Sequence, residues 1–580
     1  MNNICKTLVI CGLILNANAL ILANEALIKQ AESGNAQAQF EVAELYSSGK
    51  LGNNTKEDKN IAIKWLEKSA EQGYIKSQEA LCDYFLSKCK YEKAFKWAKT
   101  AMEQGSIKAK SAMAVLNYIG KGVTSIDRTK AFSLLKESES EPLSKALLGI
   151  YYTTGWFDIE PDYQKAKLLA KEAINSNCSM GYETYAIASI KEFLENPKPE
   201  LQSELLKYSE EGLAKYPDSE DLKLVLAMSL LLNPNKNNLS RAQNLLNEIK
   251  EEGLGSAKFI YSQYEMIMQN NDKAVSYIFE SANLGYLDAI PLAFELYVFG
   301  QSVIGLSTEP NLDKAVPLVI NGLKTHNPEF IGVYYPVMKM ASKDETYKEN
   351  LKAVYSEDFD YNKYLKIAAD NGCPSMMYLY SKKKNISKEE QLKYLFGSAN
   401  MGWVDAIQAI ANKYYQEKDE KAYEWALKAE TQKRLQNKLN KDSIGCKDAF
   451  LVQGLCLLNG VCGAEKNVKK GLEKLSSYFI LGGEHKISFQ LFKEYSALEE
   501  TEQNLIDAYF WGYINVSTTK DPTGTTKSDI EKYLENVKSK LPKETIEKIE
   551  QECSKIIELN KKNFKENLIN RITYYGSPKI

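Results

Sequence analysis

Gly34-Asn35-Ala36-Gln37-Ala38-Gln39-Phe40 begins a spacing that recurs along much of the chain. After the first glycine, Ala38, Ala43, Tyr46 and Gly49 stand at offsets of 4, 9, 12 and 15 residues. The same order of small, large and glycine positions, complete or nearly so, begins again at Gly105, Gly285, Gly402 and Gly445. A recurring spacing of this kind indicates an array of similar structural units, and an array determines the fold class.

A second pattern follows the first in most units and reads Lys-Ala-x-x-large. Residues three and four apart share one face of an α-helix, so each pattern predicts one helix with a packing face. Small residues at offsets 4 and 9 let two antiparallel helices approach closely, and the large residue at offset 12 fills the gap between them. The second pattern occurs at Lys93-Ala94, Lys130-Ala131, Lys165-Ala166, Lys273-Ala274, Lys314-Ala315 and Lys421-Ala422.

The repeat also predicts where its helices begin and end. The glycine at offset 15 suits a helix C-cap, where the backbone needs a positive φ. Asp127 and Asp313 precede second-pattern helices and are predicted to cap them. The unit is therefore a helix–turn–helix of roughly 32 to 40 residues that buries its apolar face only by stacking on its neighbours.

Two further stretches identify the kind of repeat. Trp65-Leu66-Glu67-Lys68-Ser69-Ala70-Glu71-Gln72-Gly73 and Gly120-Lys121-Gly122-Val123, together with the opening stretch, resemble the Sel-1-like repeat, a relative of the tetratricopeptide repeat. The resemblance implies an all-α fold, a right-handed α–α superhelix (solenoid) of stacked helix–turn–helix units. It is clear over residues 30–175, 280–325 and 395–515 and faint between these ranges.

The predicted organisation follows from these ranges and from the charged helix that starts near Pro542, which resembles the terminal helix of bacterial family members. In chain order we expect a signal peptide at 1–19, N-terminal Sel-1-like repeats at 25–180 and divergent helical repeats at 181–255. Sel-1-like and divergent repeats are expected at 256–395, C-terminal Sel-1-like repeats at 396–516, a loop and terminal capping helix at 517–560, and a mobile tail at 561–580.

The N-terminus predicts export. Lys6 precedes an apolar run from Leu8 to Leu15, and Ala17-Asn18-Ala19 supplies a small-x-small cleavage site. The run is too short to span a bilayer, and no other apolar stretch approaches ~20 residues, so we expect no integral membrane segment in the mature chain. The expected location is the periplasm or outside the cell.

Composition argues against nucleic acid as a partner. The 580 residues carry a net charge of −2 with acids and bases interspersed, and the densest basic run is Lys382-Lys383-Lys384 in a short polar link. Nucleic-acid binding usually needs a basic face or stripe. The expected partners are proteins.

Cysteine spacing leaves two candidate disulfide pairs, Cys82 with Cys89 and Cys456 with Cys462. Each pair runs from a predicted helix into the following turn, although eight cysteines after cleavage allow 105 connectivities in principle. No metal site is expected, because C-x-x-C is absent and the two histidines lie far from matching cysteines.

Catalysis has little support in the sequence, and no catalytic residue or cofactor is expected. His326 and His485 lie in links between helices, and no phosphate loop or nucleophile elbow is present. Some cysteine-rich exported relatives are described as penicillin-binding or β-lactamase-like. Ser47 with Lys50 and Ser133 with Lys136 match S-x-x-K, but the companion motifs S-D-N and K-T-G do not occur.

The predicted function is that of an exported, non-enzymatic scaffold or adaptor, with an envelope-associated or host-interaction role, that binds proteins on the concave face of the solenoid. An adaptor in the lumen of the endoplasmic reticulum, within a degradation complex, is the alternative. The penicillin-binding or β-lactamase-like activity is the second. Tyrosines at repeat positions, such as Tyr46, Tyr297 and Tyr414, are interpreted first as core residues.

Overall fold

The computed structural model describes residues 23–575 apart from short interruptions. The predicted signal peptide at 1–19 therefore lies outside the described residues. Within them, α-helices joined by turns make up the regular structure, and no strand is present. The interruptions fall at 54, 89, 121, 123–124, 250–253, 301, 303–304, 312–313, 316–317, 319–321, 324, 342–360, 440–445 and 519–526.

The chain divides into two compact units, which are described separately. Unit 1 comprises residues 1–153 and 162–327. Helical residues 23–32 precede its named helices. These are α1 (Ala36–Ser47), α2 (Lys56–Glu71), α3 (Ile75–Ser87), α4 (Tyr91–Glu103), α5 (Ile107–Ile119), α6 (Arg128–Glu137), α7 (Pro142–Thr154), α8 (Tyr163–Asn175), α9 (Met180–Glu195), α10 (Pro199–Lys215), α11 (Glu220–Leu231), α12 (Lys236–Asn247), α13 (Leu254–Ile267), α14 (Asn271–Asn283) and α15 (Ala289–Phe299).

Unit 2 comprises residues 328–580 and the short segment 154–161. In that segment, Trp156 is buried and the Phe157 carbonyl accepts a hydrogen bond from Asn400 Nδ2 at 3.0 Å. The helices are α16 (Pro328–Ala341), α17 (Tyr361–Asp370), α18 (Pro374–Ser381), α19 (Lys388–Asn400), α20 (Val404–Gln416), α21 (Lys421–Leu439), α22 (Lys447–Asn459), α23 (Val468–Ile480), α24 (Lys486–Ser496), α25 (Glu502–Thr518), α26 (Lys527–Lys538) and α27 (Lys543–Tyr575).

In both units most helices pack mainly on the helices before and after them in the chain, which is the contact pattern of a solenoid. The all-α solenoid predicted from the repeat is confirmed. The predicted small positions form the contact surfaces between helices. They are buried at Ala38, Ala43, Ala109, Ala114, Ala289, Ala406, Ala411 and Ala449.

The predicted helix ends are also present. Gly120, Gly300 and Gly460 adopt the left-handed conformation as C-caps of α5, α15 and α22. Asp127 caps α6 by accepting a hydrogen bond from the backbone N–H of Lys130 at 2.8 Å. Asp313, the other predicted cap, lies outside the described residues.

Buried polar side chains fasten neighbouring helices together. In three helical repeats, a serine near the end of the second helix donates a hydrogen bond to a backbone carbonyl at the start of the first helix. These bonds run from Ser69 Oγ to Ala36 O (2.6 Å), from Ser281 Oγ to Gly255 O (2.7 Å) and from Ser398 Oγ to Pro374 O (2.7 Å). Each of these three serines is fully buried, so each hydrogen bond satisfies a hydroxyl that water cannot reach.

Glutamines add a second set of such bonds between successive helices. Gln39 Nε2 donates to Ala31 O, Gln78 Nε2 donates to Ala70 O, and Gln453 Nε2 donates to Ala426 O, at 3.0–3.1 Å. In each bond the amide joins the first helix of a pair to the helix before it. The bonds therefore link one helical pair to the next.

The last helix is longer than the sequence predicts. α27 runs from Lys543 to Tyr575 and so includes most of the stretch expected to be a tail. The mobility of residues 561–580 stays a prediction. The loop expected from residue 517 falls largely in the undescribed range 519–526, and α26 lies between that range and α27.

Gly454 provides a test of close helix packing as the basis of the fold. A Cβ added there would lie 2.7 Å from the Leu475 side chain and 3.0 Å from the Gly471 carbonyl oxygen. Gly→Ala in a helix ordinarily gains about 0.5–1 kcal/mol. We nevertheless expect Gly454→Ala to lower the free energy of unfolding by about 1–3 kcal/mol through overpacking.

Urea denaturation followed by circular dichroism measures this effect. Lys469→Ala on the exposed face of α23 serves as the control and should leave the midpoint nearly unchanged. A midpoint that rises for Gly454→Ala would show that α22 and α23 do not need this close approach.

Candidate interaction surfaces

The candidate catalytic residues have separate local structural settings in the described part of the chain. His326 adopts a positive φ of 56° in the turn before α16, in unit 1, and His485 is the N-cap residue of α24, in unit 2. Ser47 Oγ donates to the backbone carbonyl of Glu44 at 3.0 Å. Ser133 is exposed on α6.

The predicted cysteine pairs have different outcomes. Cys82 is buried in α3, where burial raises the pKa of its thiol, and Cys89 lies outside the described residues. Cys456 and Cys462 are free thiols joined by a hydrogen bond. Burial is the main cause that raises the pKa of Cys456 to about 12, and the neighbouring Cys462 adds to this effect. The structure thus brings the second pair together as thiols, and their oxidation stays a prediction.

Cys446 also lies in the cluster that contains this pair, which was not predicted. All three cysteines belong to one buried cluster formed mainly by α20, α21 and α22. The sequence signal for grouping them was weak, because Cys446 precedes α22 by one residue while Cys462 follows it by three.

A disulfide between Cys456 and Cys462 is expected when the protein is isolated from an oxidising compartment. Peptide mass spectrometry without reduction should find the linked peptide, 2 Da lighter than the dithiol form, because oxidation removes two hydrogen atoms. Cys446→Ala is the matched control and should leave the linkage intact. Free thiols at both positions in such material would contradict the prediction.

Charged groups gather on the first helices of unit 1. Lys108 on α5 forms an ion pair of 2.6 Å with Asp83 on α3. Burial raises the pKa of the Asp83 carboxyl, and Lys108 partly offsets this effect. Burial by itself would lower the pKa of Lys108, but Asp83 reverses the direction and the pKa is raised.

Glu183 on α9 is the most strongly perturbed acid of this surface. Burial raises its pKa well above the usual range, and the carboxylate of Asp221 on α11 adds to the shift. Burial raises the pKa of the Cys178 thiol to about 11, and the charges of Glu183 and Asp83 contribute in the same direction. Asp83 and Glu183 act on Cys178, and Asp221 acts on Glu183, so we call Asp83, Cys178, Glu183 and Asp221 the acidic face of unit 1.

Tyrosine is used in the core and at its edge. Tyr297 is buried as predicted, whereas Tyr46 and Tyr414 are partly buried at the margins of core clusters. Other tyrosines donate to carboxylates, so their hydroxyls are satisfied away from water. These pairs are Tyr163 with Glu195, Tyr185 with Glu204, Tyr394 with Asp370 and Tyr509 with Glu550.

In unit 2, α27 forms a clasp at the end of α23. Asn560 Nδ2 donates to the backbone carbonyls of Phe479 and Gly483, and Asn563 Nδ2 donates to that of Ile480 at 2.8 Å. The last carbonyls of a helix have no partner within that helix. The two asparagines supply further donors from a distant part of the chain, in addition to the backbone N–H groups of Gly482 and Gly483, which also donate to the Phe479 carbonyl.

The family model of the Sel1 repeat matches residues 36–74, 85–106, 107–139 and 142–178. These four segments are similar to the Sel1 repeat. All four matched Sel1 repeats lie in unit 1, within α1–α9 and their connections.

Solved structures with similar folds include two Sel1 repeat or SLR proteins. One is a protective antigen present in uropathogenic Escherichia coli strains, described as having an SLR fold, at 16% identity, covering 96% of this chain and 98% of that chain, with a TM-score of 0.26. The other is a Sel1 repeat protein from Oxalobacter formigenes, at 22% identity, covering 41% of this chain and 96% of that chain, with a TM-score of 0.27.

Yeast Tom70 is also similar, at 13% identity over 87% of this chain and 96% of that chain, with a TM-score of 0.22. No curated protein matches the sequence.

The described residues also bear on membranes and metals. None of their helices combines the length and the apolar character needed to cross a bilayer. In the same part of the chain, no group of three or more His, Cys, Asp and Glu side chains is placed to hold a metal ion.

His485 should make the clasp sensitive to pH. Its ring packs against Phe479. Burial is the main cause that lowers the pKa of His485, and the positive charge of Lys561 on α27 lowers it further. The flanking Glu484 and Lys486 form an ion pair with each other. Because the folded state favours neutral His485, its contribution to stability is complete above the unfolded pKa, about 6.5, and is lost as pH falls through the folded pKa.

We therefore expect amides of residues 480–487 to exchange faster at pH 5.5 than at pH 7.5, after correction for intrinsic exchange rates. His485→Gln should remove this difference, since glutamine does not titrate. His326→Asn is the control, because asparagine tolerates a positive φ and residue 326 lies in unit 1. If His485→Gln keeps the full pH dependence, another group causes it.

Proposed function

We propose that this protein is an exported, non-enzymatic scaffold that binds other proteins through the first helices of its repeats, in an envelope-associated or host-interaction role. The observation that carries the proposal is the repeat itself. Sel1 and tetratricopeptide-like solenoids are generally protein-interaction modules, and this chain has the repeats and the solenoid. A stacked array presents a long continuous surface, which suits extended partners.

The acidic face supports a role for the first helices of unit 1. Asp83, Glu183 and Asp221 lie on α3, α9 and α11, which are first helices of their pairs. Glu183 is half-buried, so its carboxyl group is partly removed from water before any partner binds. Charged groups on an interaction surface contribute to specificity and to the rate of association.

Export is proposed from Lys6, the apolar run that follows it and the small-x-small site ending at Ala19. N-terminal sequencing of protein from fractionated cells tests it directly. A mature chain that begins at residue 20 and is found outside the cytoplasm supports export, whereas a retained Met1 contradicts it.

Site-specific crosslinking tests the binding role. A photo-crosslinking residue at Ile107 would probe the first-helix surface, because this side chain is 49% exposed on α5 and precedes Lys108 of the acidic face's ion pair. The matched control carries the same residue at Lys469, exposed on α23, a second helix. We expect a discrete protein adduct from position 107 and much less from position 469 in the native compartment.

Two results would contradict the proposal. One is the absence of any protein adduct from position 107 and from equivalent exposed positions on the other first helices. The other is turnover of a small molecule by the purified chain without a partner.

A further inference from the structure

We propose that unit 2 has a helix-binding surface, formed by α16 and the C-terminal end of α23, that the chain's own α27 occupies from Asn560 onward. A partner would bind there through an amphipathic helix that replaces this part of α27. The inference rests on the proposed function, since it names the kind of partner segment that the scaffold takes.

α27 consists of two parts that are held in different ways. In its first part, Ile546, Ile549 and Cys553 are buried in the same core cluster as Trp511. Tyr509 on α25 adds a hydrogen bond to Glu550 at 2.6 Å. Removing this part would expose an apolar core, so we regard it as permanent.

Between Asn560 and Asn563, where the side chains of the second part are described, its contacts with the end of α23 are hydrogen bonds. Leu559 is 39% exposed, while Asn560 and Asn563 are buried at 1% and 8% exposure. Their amides bind the end carbonyls of α23. Water or another donor can satisfy the same carbonyls, because helix ends need hydrogen bonds but not a particular partner. This part of α27 is therefore suited to exchange.

The sequence after Asn563 completes a typical helical ligand. Phe564, Leu568, Ile572 and Tyr575 are spaced by four, four and three residues, which is the period of an apolar helix stripe. α27 stays helical to Tyr575 and contacts α16 as well as α23. An amphipathic helix lying on helices is a common mode of peptide recognition.

The partner segment can be described from this arrangement. It should be helical, carry two amide side chains three residues apart for the carbonyls of Phe479, Ile480 and Gly483, and continue with apolar residues every three or four positions. Because α27 is attached to the chain, its effective local concentration is high, of the order of millimolar. A free helix will compete only when the clasp is weakened or the ligand binds tightly.

Weakening the clasp in the full-length chain tests the inference. Asn560→Asp with Asn563→Asp keeps the side-chain shapes but removes the donors and places carboxylates against carbonyl oxygens. The control pair, Gln551→Ala with Glu558→Ala, changes exposed residues of the same helix. Asn560→Ala with Asn563→Ala is a second test pair that adds no charge.

Two readouts distinguish the outcomes. In both asparagine variants we expect amides of α16 and of residues 480–487 to exchange roughly tenfold faster or more, given the loss of two or three hydrogen bonds, while α25 stays protected. A fluorescent peptide of residues 556–575 should bind these variants, shown by anisotropy, and should not bind the wild-type or control chains.

The inference would be overturned if amide hydrogen exchange is unchanged in the asparagine variants, or if the peptide binds neither of them. Loss of protection in α25 in both pairs would also overturn it, because the second part of α27 would then belong to the permanent core. The experiment contains no outside partner, so its failure leaves the crosslinking test of the scaffold role unaffected.

Discussion

The close approach of antiparallel helices is the constraint on which the rest of the structure depends. Alanine and glycine at the packing positions keep side-chain volume out of the contact, and Gly454 against Gly471 shows how little space remains. Interiors are packed as densely as organic crystals, so a single methyl group matters at such a contact. Each helical pair buries one face in this way and depends on the next pair for the other.

Buried polar side chains determine how successive helices are aligned. Buried serine hydroxyls and glutamine amides donate to backbone carbonyls of neighbouring helices, for example Ser281 to Gly255 and Gln453 to Ala426. These side chains would be costly to bury without a partner, so they favour one alignment over alternatives that pack equally well. Apolar contacts stabilise the helix pairs, and these buried hydrogen bonds specify how the helices align.

A stack of repeats must end, and α27 shows how unit 2 does so. Its first part covers apolar residues of α25, including Trp511, and Asn560 satisfies carbonyls at the end of α23. One helix thus both closes the hydrophobic core and supplies donors to a helix end. Because these two functions use different parts of α27, covering the core and occupying a surface are physically separable.

The sequence by itself determined the all-α solenoid, the buried alanines and the glycine caps at Gly120, Gly300 and Gly460, because these follow from local spacing and backbone conformation. It also contains a signal for the buried serine hydrogen bonds, the serine before alanine that recurs at Ser69, Ser281 and Ser398. Only the tertiary structure decided that Glu183 lies near Asp221, or that Asn560 reaches Phe479. Such contacts join residues that are tens of positions apart, and their partners depend on how many helices intervene and how each is rotated, which no local spacing encodes.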